Sequence, residues 1–286
     1  MKYAFITAHE NVFSVKAMCH VLGVQRSGYY AWKQRPPSRR ELENHALLEK
    51  IKEAFEHSRH TYGSLRIQHY WLHKGYAYSR HRISRLMKKA QLVPLKVARW
   101  HPQTTKQRLG ARTAPNLLNQ DFGATHSNQK WVSDITYIET AEGWLYLAVI
   151  LDLYSRRVVG WAMRDRLDTQ LVESAWRMAV INRRPPEMLL HHSDRGSQYT
   201  SDSYWRLLLG ARCQVSMSRT GNCYDNATME SFFATLKGEC ATQSFKTKSD
   251  ARTTIFEYIE GWYNRYRLHS SLGYVSPVAF EQLSGH

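Results

Sequence analysis

Hydrophobic residues in the first 90 positions recur at the spacing of amphipathic helices. Over residues 14–34 they repeat every three or four positions, Gly23 interrupts the repeat, and Pro36 follows its end. A helix, a glycine-containing turn and a second helix make the helix-turn-helix pattern. On this interpretation the second helix presents three candidates for contact with DNA, namely Arg26, Tyr30 and Lys33. An ordinary pair of packed helices fits the same pattern equally well.

The same spacing predicts a third amphipathic helix over residues 40–56, followed by a second helix pair. Residues 61–64 open one helix of this pair, and Ser79 is placed to cap the other. The capped helix combines an apolar stripe with basic residues, among them Arg80, Arg82 and Arg85. Such a helix can bury one face and hold DNA phosphates with the other. We therefore expect residues 1–93 to form a helical, basic DNA-binding region.

From Trp131 the pattern changes to three β-rich runs, followed by alternating helix and strand. The later elements predicted are helices over 168–183 and 201–209, strands ending at Asp194 and at 218, and a helix from about Asn226. This order favours an α/β fold with a mixed sheet over residues 129–286. A last helix is expected over residues 250–267, with one apolar face formed by Ile255, Ile259, Trp262 and Tyr263.

Basic residues are concentrated in the first part of the chain. Residues 1–130 hold 23 Lys and Arg against 7 Asp and Glu, whereas residues 131–286 hold 17 of each. A basic part beside a neutral part is expected when one region binds a polyanion and another carries out chemistry. A merely solvated basic surface is the alternative. Within the basic part, residues 94–128 lack periodicity and are rich in Gln, Thr and Asn, so we expect a linker that becomes ordered on DNA.

The overall composition is that of a globular protein, with 43% hydrophobic and 22% charged residues. The four cysteines include no closely spaced pair of the kind that binds zinc, so we expect reduced thiols. No apolar run approaches the roughly 18 residues of a membrane span, and the first residues lack the apolar core of a signal peptide. These features predict a cytoplasmic protein.

Three carboxylates of the predicted α/β region are candidates for binding metal ions. Asp134 lies within the first strand, where aspartate is rare, and Asp194 follows an apolar run, at the strand end where α/β sheets bind ligands. Glu230 lies on the helix after the last strand. Together they would suit Mg²⁺ or Mn²⁺, and two such ions would serve phosphodiester displacement. Taken singly, each carboxylate is better explained by a structural role.

Neighbouring polar residues fit the chemistry less well. Asp152 ends a predicted strand, so we expect it to cap a turn or to pair with Arg156 or Arg157. Glu239 lies nine residues after Glu230, which places it on the opposite face of a helix. A serine nucleophile at Ser193 is excluded, because consecutive strand residues alternate faces and cannot relay a proton.

Five segments of the chain have the character of family motifs, namely WVSDITYIET, GWLYLAVILDLYSRRVVGWAM, HHSDRGSQYTS, SMSRTGNCYDNATMESFFATLKGE and WYNRYRLHSSLGYVSP. They resemble the motif blocks of the insertion sequence three (IS-three) family of bacterial transposases, whose core is like that of retroviral integrases. The family places 35 residues between its second Asp and its Glu, as Asp194 and Glu230 are placed here, and a basic residue seven positions later, where Lys237 stands. Similarity of LGVQRSGYYAW, HTYGSLRI and SRHRISRLMK to the family's amino-terminal helices extends the resemblance over nearly the whole chain.

The resemblance implies an RNase H-like catalytic core, with a mixed five-stranded sheet flanked by helices, preceded by a small helix-turn-helix region. It implies cleavage of one strand at the element's ends and transfer through a 3′-hydroxyl, with Asp134, Asp194 and Glu230 as the metal-binding trio and Lys237 holding DNA. It also implies double-stranded DNA as partner, a homo-oligomer on that DNA, and the first-reading-frame protein as a further partner, either separate or fused to this chain. The chain looks like the second-frame product alone.

Two other functions remain open on the sequence. A regulatory DNA-binding protein of the same element would share the basic helices, but the intact carboxylate trio argues against it. A plain nuclease with an RNase H-like core would share the trio, but the helical region rich in Tyr and Arg suits sequence-directed assembly better than indiscriminate hydrolysis.

Overall fold

A computed structural model describes residues 1–95, 112–219, 223–242 and 244–285, without the side chain of Cys223. The described chain divides into two compact units, residues 1–53 and residues 54–286. Within the described residues the α-helices are α1 (Lys2–His9), α2 (Val15–Val21), α3 (Arg26–Gln34), α4 (Arg39–His57), α5 (Ser64–His73), α6 (Arg80–Lys89), α7 (Thr169–Arg183), α8 (Asp202–Gly210), α9 (Ala227–Cys240), α10 (Lys248–Phe256) and α11 (Pro277–Leu283). The strands are β1 (Lys130–Ile138), β2 (Leu145–Asp152), β3 (Val158–Arg164), β4 (Leu190–Ser193) and β5 (Gln214–Met217). Short 3₁₀ helices cover Cys223–Asn226 and Ser270–Leu272, and a π-helix covers Glu257–Tyr263.

The first unit contains the predicted helix-turn-helix pair, α2 and α3, joined at Gly23 in a left-handed conformation with φ of +60°. Ser14 caps α2 by accepting a hydrogen bond from the backbone of Ala17. Helix α1 was not foreseen from the sequence. Its Ile6 joins Tyr29 and two residues of α2 in a small buried core, so α1 completes a core that two short helices could not form alone.

The second unit is built on a mixed sheet of order β3-β2-β1-β4-β5. Strands β1, β2 and β3 form an antiparallel meander, while β4 runs parallel to β1 and β5 parallel to β4. This confirms the predicted mixed sheet. Helix α7 packs on one face, where Trp176 meets Trp131 with ring centroids 5.7 Å apart. Helix α9 lies against β1.

The division between the units differs from the boundaries expected at residues 93 and 128. The second helix pair belongs with the sheet, because the hydroxyl of Tyr62 donates to the carbonyl of Tyr266 and accepts from the backbone of Leu268, at 3.1 and 2.7 Å. Residues 112–128 also belong there: Leu118 is buried, and the Ser216 hydroxyl accepts from the backbone of Leu117 and Leu118. Apart from residues 96–111, which lie outside the described residues, the expected linker is therefore part of the sheet unit.

One local expectation is corrected. The last helix does not continue as an α-helix to residue 267, because α10 ends at Phe256 and a π-helix follows. Its predicted apolar face is nevertheless buried throughout. Asp152 caps a turn by accepting from the backbone of Tyr154, which is the first of the two roles expected for it, while Arg157 pairs with Glu281. In the described parts of the chain, no helix has the length and apolar character needed to cross a membrane.

Candidate active site

The sheet topology places two of the three carboxylates side by side. Strand β1 is central, and its parallel pairing with β4 brings Ser133 opposite Ser193. Asp134 and Asp194 are the next residues along the two strands, so they emerge at the same level of the sheet. Asp194 marks the carboxyl end of β4, and its Oδ1 accepts a hydrogen bond from the backbone of Gly196 at 2.9 Å.

Asp134 carries the most unfavourable environment for a negative charge. Its Oδ1 accepts from the backbone of Ile135 and its Oδ2 from Nδ2 of Asn226, both at 2.7 Å. Burial raises the pKa of Asp134 well above its usual range, and the negative charges of Asp194 and Glu230 raise it further. The three carboxylates are therefore close enough for the charges of two of them to disfavour ionisation of the third.

Glu230 enters from a third element, the first turn of α9. It is half-buried, and burial raises the pKa of its carboxyl group. Lys237 follows two helical turns later and is also half-buried. Burial lowers the pKa of the Lys237 ammonium, and the charge of Asp134 opposes that shift. Lys237 thus lies within electrostatic reach of Asp134.

The other polar residues considered from the sequence have structural partners. Glu239, predicted to lie opposite Glu230, is buried and paired with Arg267 at 2.7 Å, and the hydroxyl of Tyr258 donates to it. The ring nitrogens of His192 face the hydroxyls of Ser216 and Ser218, so His192 does not contact Ser193. These contacts agree with excluding a serine nucleophile.

The fit of a divalent cation to this site depends on the arrangement and on the chemistry of its side chains. Across the described ranges, no three His, Cys, Asp or Glu side chains stand in a ready-made cluster around one point. Two observations nevertheless favour a cation. The charges of Asp194 and Glu230 raise the pKa of Asp134, so a positive charge bound among the carboxylates would relieve their repulsion. Oδ1 of Asn226 is buried and has no hydrogen-bond partner among the described residues. Oxygen donors with excess negative charge suit Mg²⁺ or Mn²⁺.

Asn226 and Asp225 were missed as site residues from the sequence. Asparagine at the start of a helix is the ordinary N-cap, so the pattern around residue 226 predicts only a helix boundary. The buried carboxylate of Asp225 accepts hydrogen bonds from the side chains of Asn116, Gln120 and Arg219 and from the backbone of Arg219. Arg219 lowers the pKa of Asp225 strongly. No local sequence signal indicates this cluster, because Asn116 and Gln120 lie more than 100 residues before Asp225 in the chain.

The DNA-contact candidates are distributed over both units. In the first unit Arg26, Tyr30 and Lys33 are exposed, and Lys33 forms an ion pair with Glu10 at 2.7 Å. In the second unit Arg80 and Arg85 are exposed on α6, whereas Arg82 is half-buried. The buried residues of α6, including Ile83 and Leu86, form the predicted apolar stripe.

Comparison with known proteins agrees with this fold. Residues 124–223 match a family model described as "Integrase core domain", residues 211–277 match a second model of the same description, and residues 41–99 match an "HTH-like domain". The last match covers α5, α6 and most of α4, and does not include residues 14–34. The mixed sheet and these matches define an integrase-type polynucleotidyl transferase.

Relatives extend the similarity over the full chain. The "Insertion element IS600 uncharacterized 31 kDa protein" of Shigella sonnei is 46% identical, covering 93% of this chain and 97% of the relative. The "Transposase InsF for insertion sequence IS3A" of Escherichia coli strain K12 is 42% identical, covering 98% of each. The chain belongs to the IS3 family of transposases. A chain in the cryo-electron microscopy structure of a simian T-cell lymphotropic virus intasome, in complex with PP2A regulatory subunit B56 gamma, aligns with a TM-score of 0.46 and 14% identity over 81% of this chain and 74% of that chain.

Proposed function

We propose that this transposase cleaves one DNA strand at each end of its element and joins the freed 3′-hydroxyl to target DNA, with Asp134, Asp194 and Glu230 as catalytic, metal-binding residues. The observation that carries this proposal is geometric: the parallel register of β1 and β4 places Asp134 beside Asp194, and the start of α9, the helix that carries Glu230, reaches Asp134 through Asn226 at 2.7 Å. Two Mg²⁺ or Mn²⁺ ions held there would activate the attacking oxygen and stabilise the leaving oxygen.

The chain's own residues have separate roles in this reaction. Asp134 and Asp194 fix the site to two neighbouring strands of the sheet, and Glu230 closes it from α9. Lys237 holds a phosphate of the DNA end near Asp134, because a half-buried ammonium beside carboxylates can bind a phosphate but no metal. The exposed arginines of α6 and the basic residues of α3 bind flanking DNA.

The proposal extends to the assembly that carries out the reaction. A transposase must hold two element ends and a target, so we expect a homo-oligomer on double-stranded DNA. We also expect the first-reading-frame protein, or fusion to it, to supply recognition of the terminal repeats, and the complex to act on DNA in the bacterial cytoplasm. These expectations follow from the family resemblance of the motif blocks.

The test uses a labelled element-end duplex with the full-length protein, with and without the first-frame protein. Mg²⁺ or Mn²⁺ should support a single-strand cut, and Ca²⁺ should support DNA binding with little cleavage, because its looser geometry positions the reacting oxygens poorly. Asp134→Asn, Asp194→Asn and Glu230→Gln should each abolish the cut while leaving DNA binding nearly intact. The control, Asp202→Asn, changes an exposed aspartate on α8 and should cut normally.

Cleavage in excess EDTA would refute the metal-dependent mechanism. Near wild-type cleavage by one triad variant would remove that residue from the catalytic set. DNA binding without a cut, under every combination of metal and first-frame protein, would favour a regulatory protein of the element.

A further inference from the structure

Asn226 stands at the N-cap of α9 but does not act as a cap. An asparagine at this position ordinarily accepts a hydrogen bond from the backbone of the second or third helical residue. The Asn226 side chain makes no such bond, and its backbone has φ of −120° and ψ of 20° rather than the extended conformation usual at this position. Its amide instead reaches across to β1, where Nδ2 donates to Oδ2 of Asp134 at 2.7 Å.

This arrangement leaves the Asn226 amide oxygen without a partner. A carboxylate oxygen only accepts hydrogen bonds, so the amide nitrogen must face Asp134 and Oδ1 must point elsewhere. Oδ1 is buried and has no hydrogen-bond partner among the described residues, and Asn226 as a whole is only 8% exposed. Buried acceptors are rarely left in this state, and an ion or a water molecule is a common explanation.

The preceding residue holds Asn226 in this conformation. Both oxygens of Asp225 are occupied: Oδ2 accepts from Asn116 at 2.8 Å, Oδ1 accepts from Gln120 at 3.0 Å, and each also accepts from Arg219. The cluster fixes the 3₁₀ helix that leads into α9. These contacts explain why the Asn226 side chain stays in a conformation in which it does not cap α9 and its Oδ1 has no hydrogen-bond partner among the described residues.

We propose that Asn226 is a further residue of the cation site, which orients Asp134 through Nδ2 and offers Oδ1 to the divalent cation as a neutral oxygen donor. The inference rests on the proposed function, since it assumes a cation at Asp134. Hard cations prefer oxygen ligands, and amide oxygens are among those they use. A neutral donor contributes coordination without adding to the repulsion among three carboxylates.

The test measures Mn²⁺ binding to the full-length protein without DNA, by electron paramagnetic resonance, together with thermal unfolding in EDTA. Asn226→Leu removes both polar atoms at similar volume. It should weaken Mn²⁺ binding by about 10- to 100-fold, the range for groups that orient metal ligands. Its melting temperature in EDTA should be no lower than that of the wild type, because the unpaired oxygen is also removed.

Asn226→Asp tests the oxygen separately from the nitrogen. It keeps an oxygen at Oδ1 and adds a negative charge, so Mn²⁺ binding should equal or exceed that of the wild type. In EDTA its melting temperature should fall, because a second carboxylate then faces Asp134. This variant also decides the question if Asn226→Leu fails to fold.

A matched control is available in Asn264, a buried asparagine whose amide is fully paired. Its Oδ1 accepts from the backbone nitrogen of Val158 at 2.9 Å and its Nδ2 donates to the Val158 carbonyl at 3.0 Å. Asn264→Leu should therefore lower the melting temperature in EDTA and leave the Mn²⁺ affinity of the folded protein unchanged.

Asp134→Asn separates the inference from the proposed function. If the wild type binds no Mn²⁺, or Asp134→Asn binds it as tightly as the wild type, the proposed cation site itself is wrong. If Asp134→Asn weakens binding and Asn226→Leu does not, only the role of Asn226 is overturned. An equal loss of Mn²⁺ binding in Asn226→Asp and Asn226→Leu would also overturn it, since the oxygen would then contribute nothing.

Discussion

At the scale of single residues, the informative groups are those whose surroundings oppose their preferred state. Asp134 is a strand carboxylate whose ionisation is disfavoured by burial and by its neighbours, Lys237 is an ammonium partly removed from water, and Asn226 leaves an oxygen unpaired. Such groups reduce the stability of the free protein, and they are concentrated at functional sites. In this protein all three belong to the proposed active site.

Lys237→Ala should weaken binding and cleavage of an element-end duplex. Loss of one charge-assisted contact to phosphate is expected to cost about 1–3 kcal/mol. Lys237→Arg should retain more activity than Lys237→Gln, because charge matters here more than length. Affinity measured by fluorescence anisotropy and the single-turnover rate of cleavage check this.

The control for Lys237 is Lys248→Ala. Lys248 is the first residue of α10, and its Nζ lies 3.9 Å from Oδ1 of Asp165. This variant should change affinity and cleavage little. Wild-type cleavage by Lys237→Ala over a range of salt concentrations would mean that the lysine takes no part in holding DNA.

Buried histidines predict a loss of stability in mild acid. His191 is fully buried against Trp176 and bonded to the Tyr204 hydroxyl, and burial lowers the pKa of its ring to about 3. The unfolded chain binds a proton near pH 6.5 and the native ring does not, so stability is lost as pH falls from about 6.5 toward 3. The loss amounts to at most about 1.4 kcal/mol per pH unit for this histidine.

Urea titrations between pH 7 and pH 5 check this prediction. His191→Phe should lessen the pH dependence of the free energy of unfolding, whatever its effect on stability at pH 7. The exposed His126 provides the control, and His126→Phe should leave the pH dependence as it is. An unchanged slope in His191→Phe would mean that another group controls acid unfolding.

At the scale of elements, close approach between β3 and α7 supports the meander that carries Asp134. Gly160 of β3 lies directly under α7, and a Cβ there would collide with the carbonyl of Ala175 and lie 2.6 Å from Cβ of Ala179. Glycine is required by this contact rather than by a turn. A second link joins α9 to the tail through the buried pair of Glu239 and Arg267.

Gly160→Ala should lower the free energy of unfolding by about 1–3 kcal/mol, as overpacking of a core generally does. Urea denaturation checks the change. Gly210→Ala is the matched control, because nothing lies within 4 Å of its added methyl group. Gly210 ends α8, so the control should be neutral or slightly stabilising. Equal stability of the two variants would contradict the close packing of β3 and α7.

At the scale of the whole molecule, charge and chemistry are separated along the chain. The net excess of basic residues lies within residues 1–130, whereas all three carboxylates of the proposed site follow that point. Helix α6 shows that this separation does not coincide with the compact units, since its arginines belong to the unit that carries the sheet. Electrostatic attraction to DNA is therefore expected to act close to the catalytic unit as well as in the first one.

Replacement of Arg80 and Arg85 by Gln should reduce the salt dependence of DNA binding. Each phosphate contact contributes about −0.9 to the slope of the logarithm of affinity against the logarithm of salt concentration. The slope for the double variant should therefore be less negative by roughly 2. Binding titrations over a range of salt concentrations measure this. Replacement of the exposed Arg177 and Arg206, from the neutral part of the chain, should leave the slope unchanged. Equal slopes for the two double variants would mean that Arg80 and Arg85 do not contact DNA phosphates.

The sequence by itself determined the order of elements and the chemical class of the protein. Helical periodicity predicted α2, α3, α4 and α6, alternating helix and strand predicted the mixed sheet, and the motif blocks carried the family. These features are local or depend on spacing along the chain, which is why they can be recognised without coordinates. Periodicity shows that a face is buried, but not what buries it.

The tertiary structure alone decided which distant residues meet. It joined Tyr62 to residues 266 and 268, packed residues 112–128 onto the sheet, and surrounded Asp225 with donors from residues 116–120 and from Arg219. It also turned Asn226 away from its own helix toward Asp134. The local sequence around Asn226 is compatible both with a helix cap and with a residue of the proposed site. Only the position of β1, whose Asp134 lies 92 residues earlier in the chain, distinguishes the two roles.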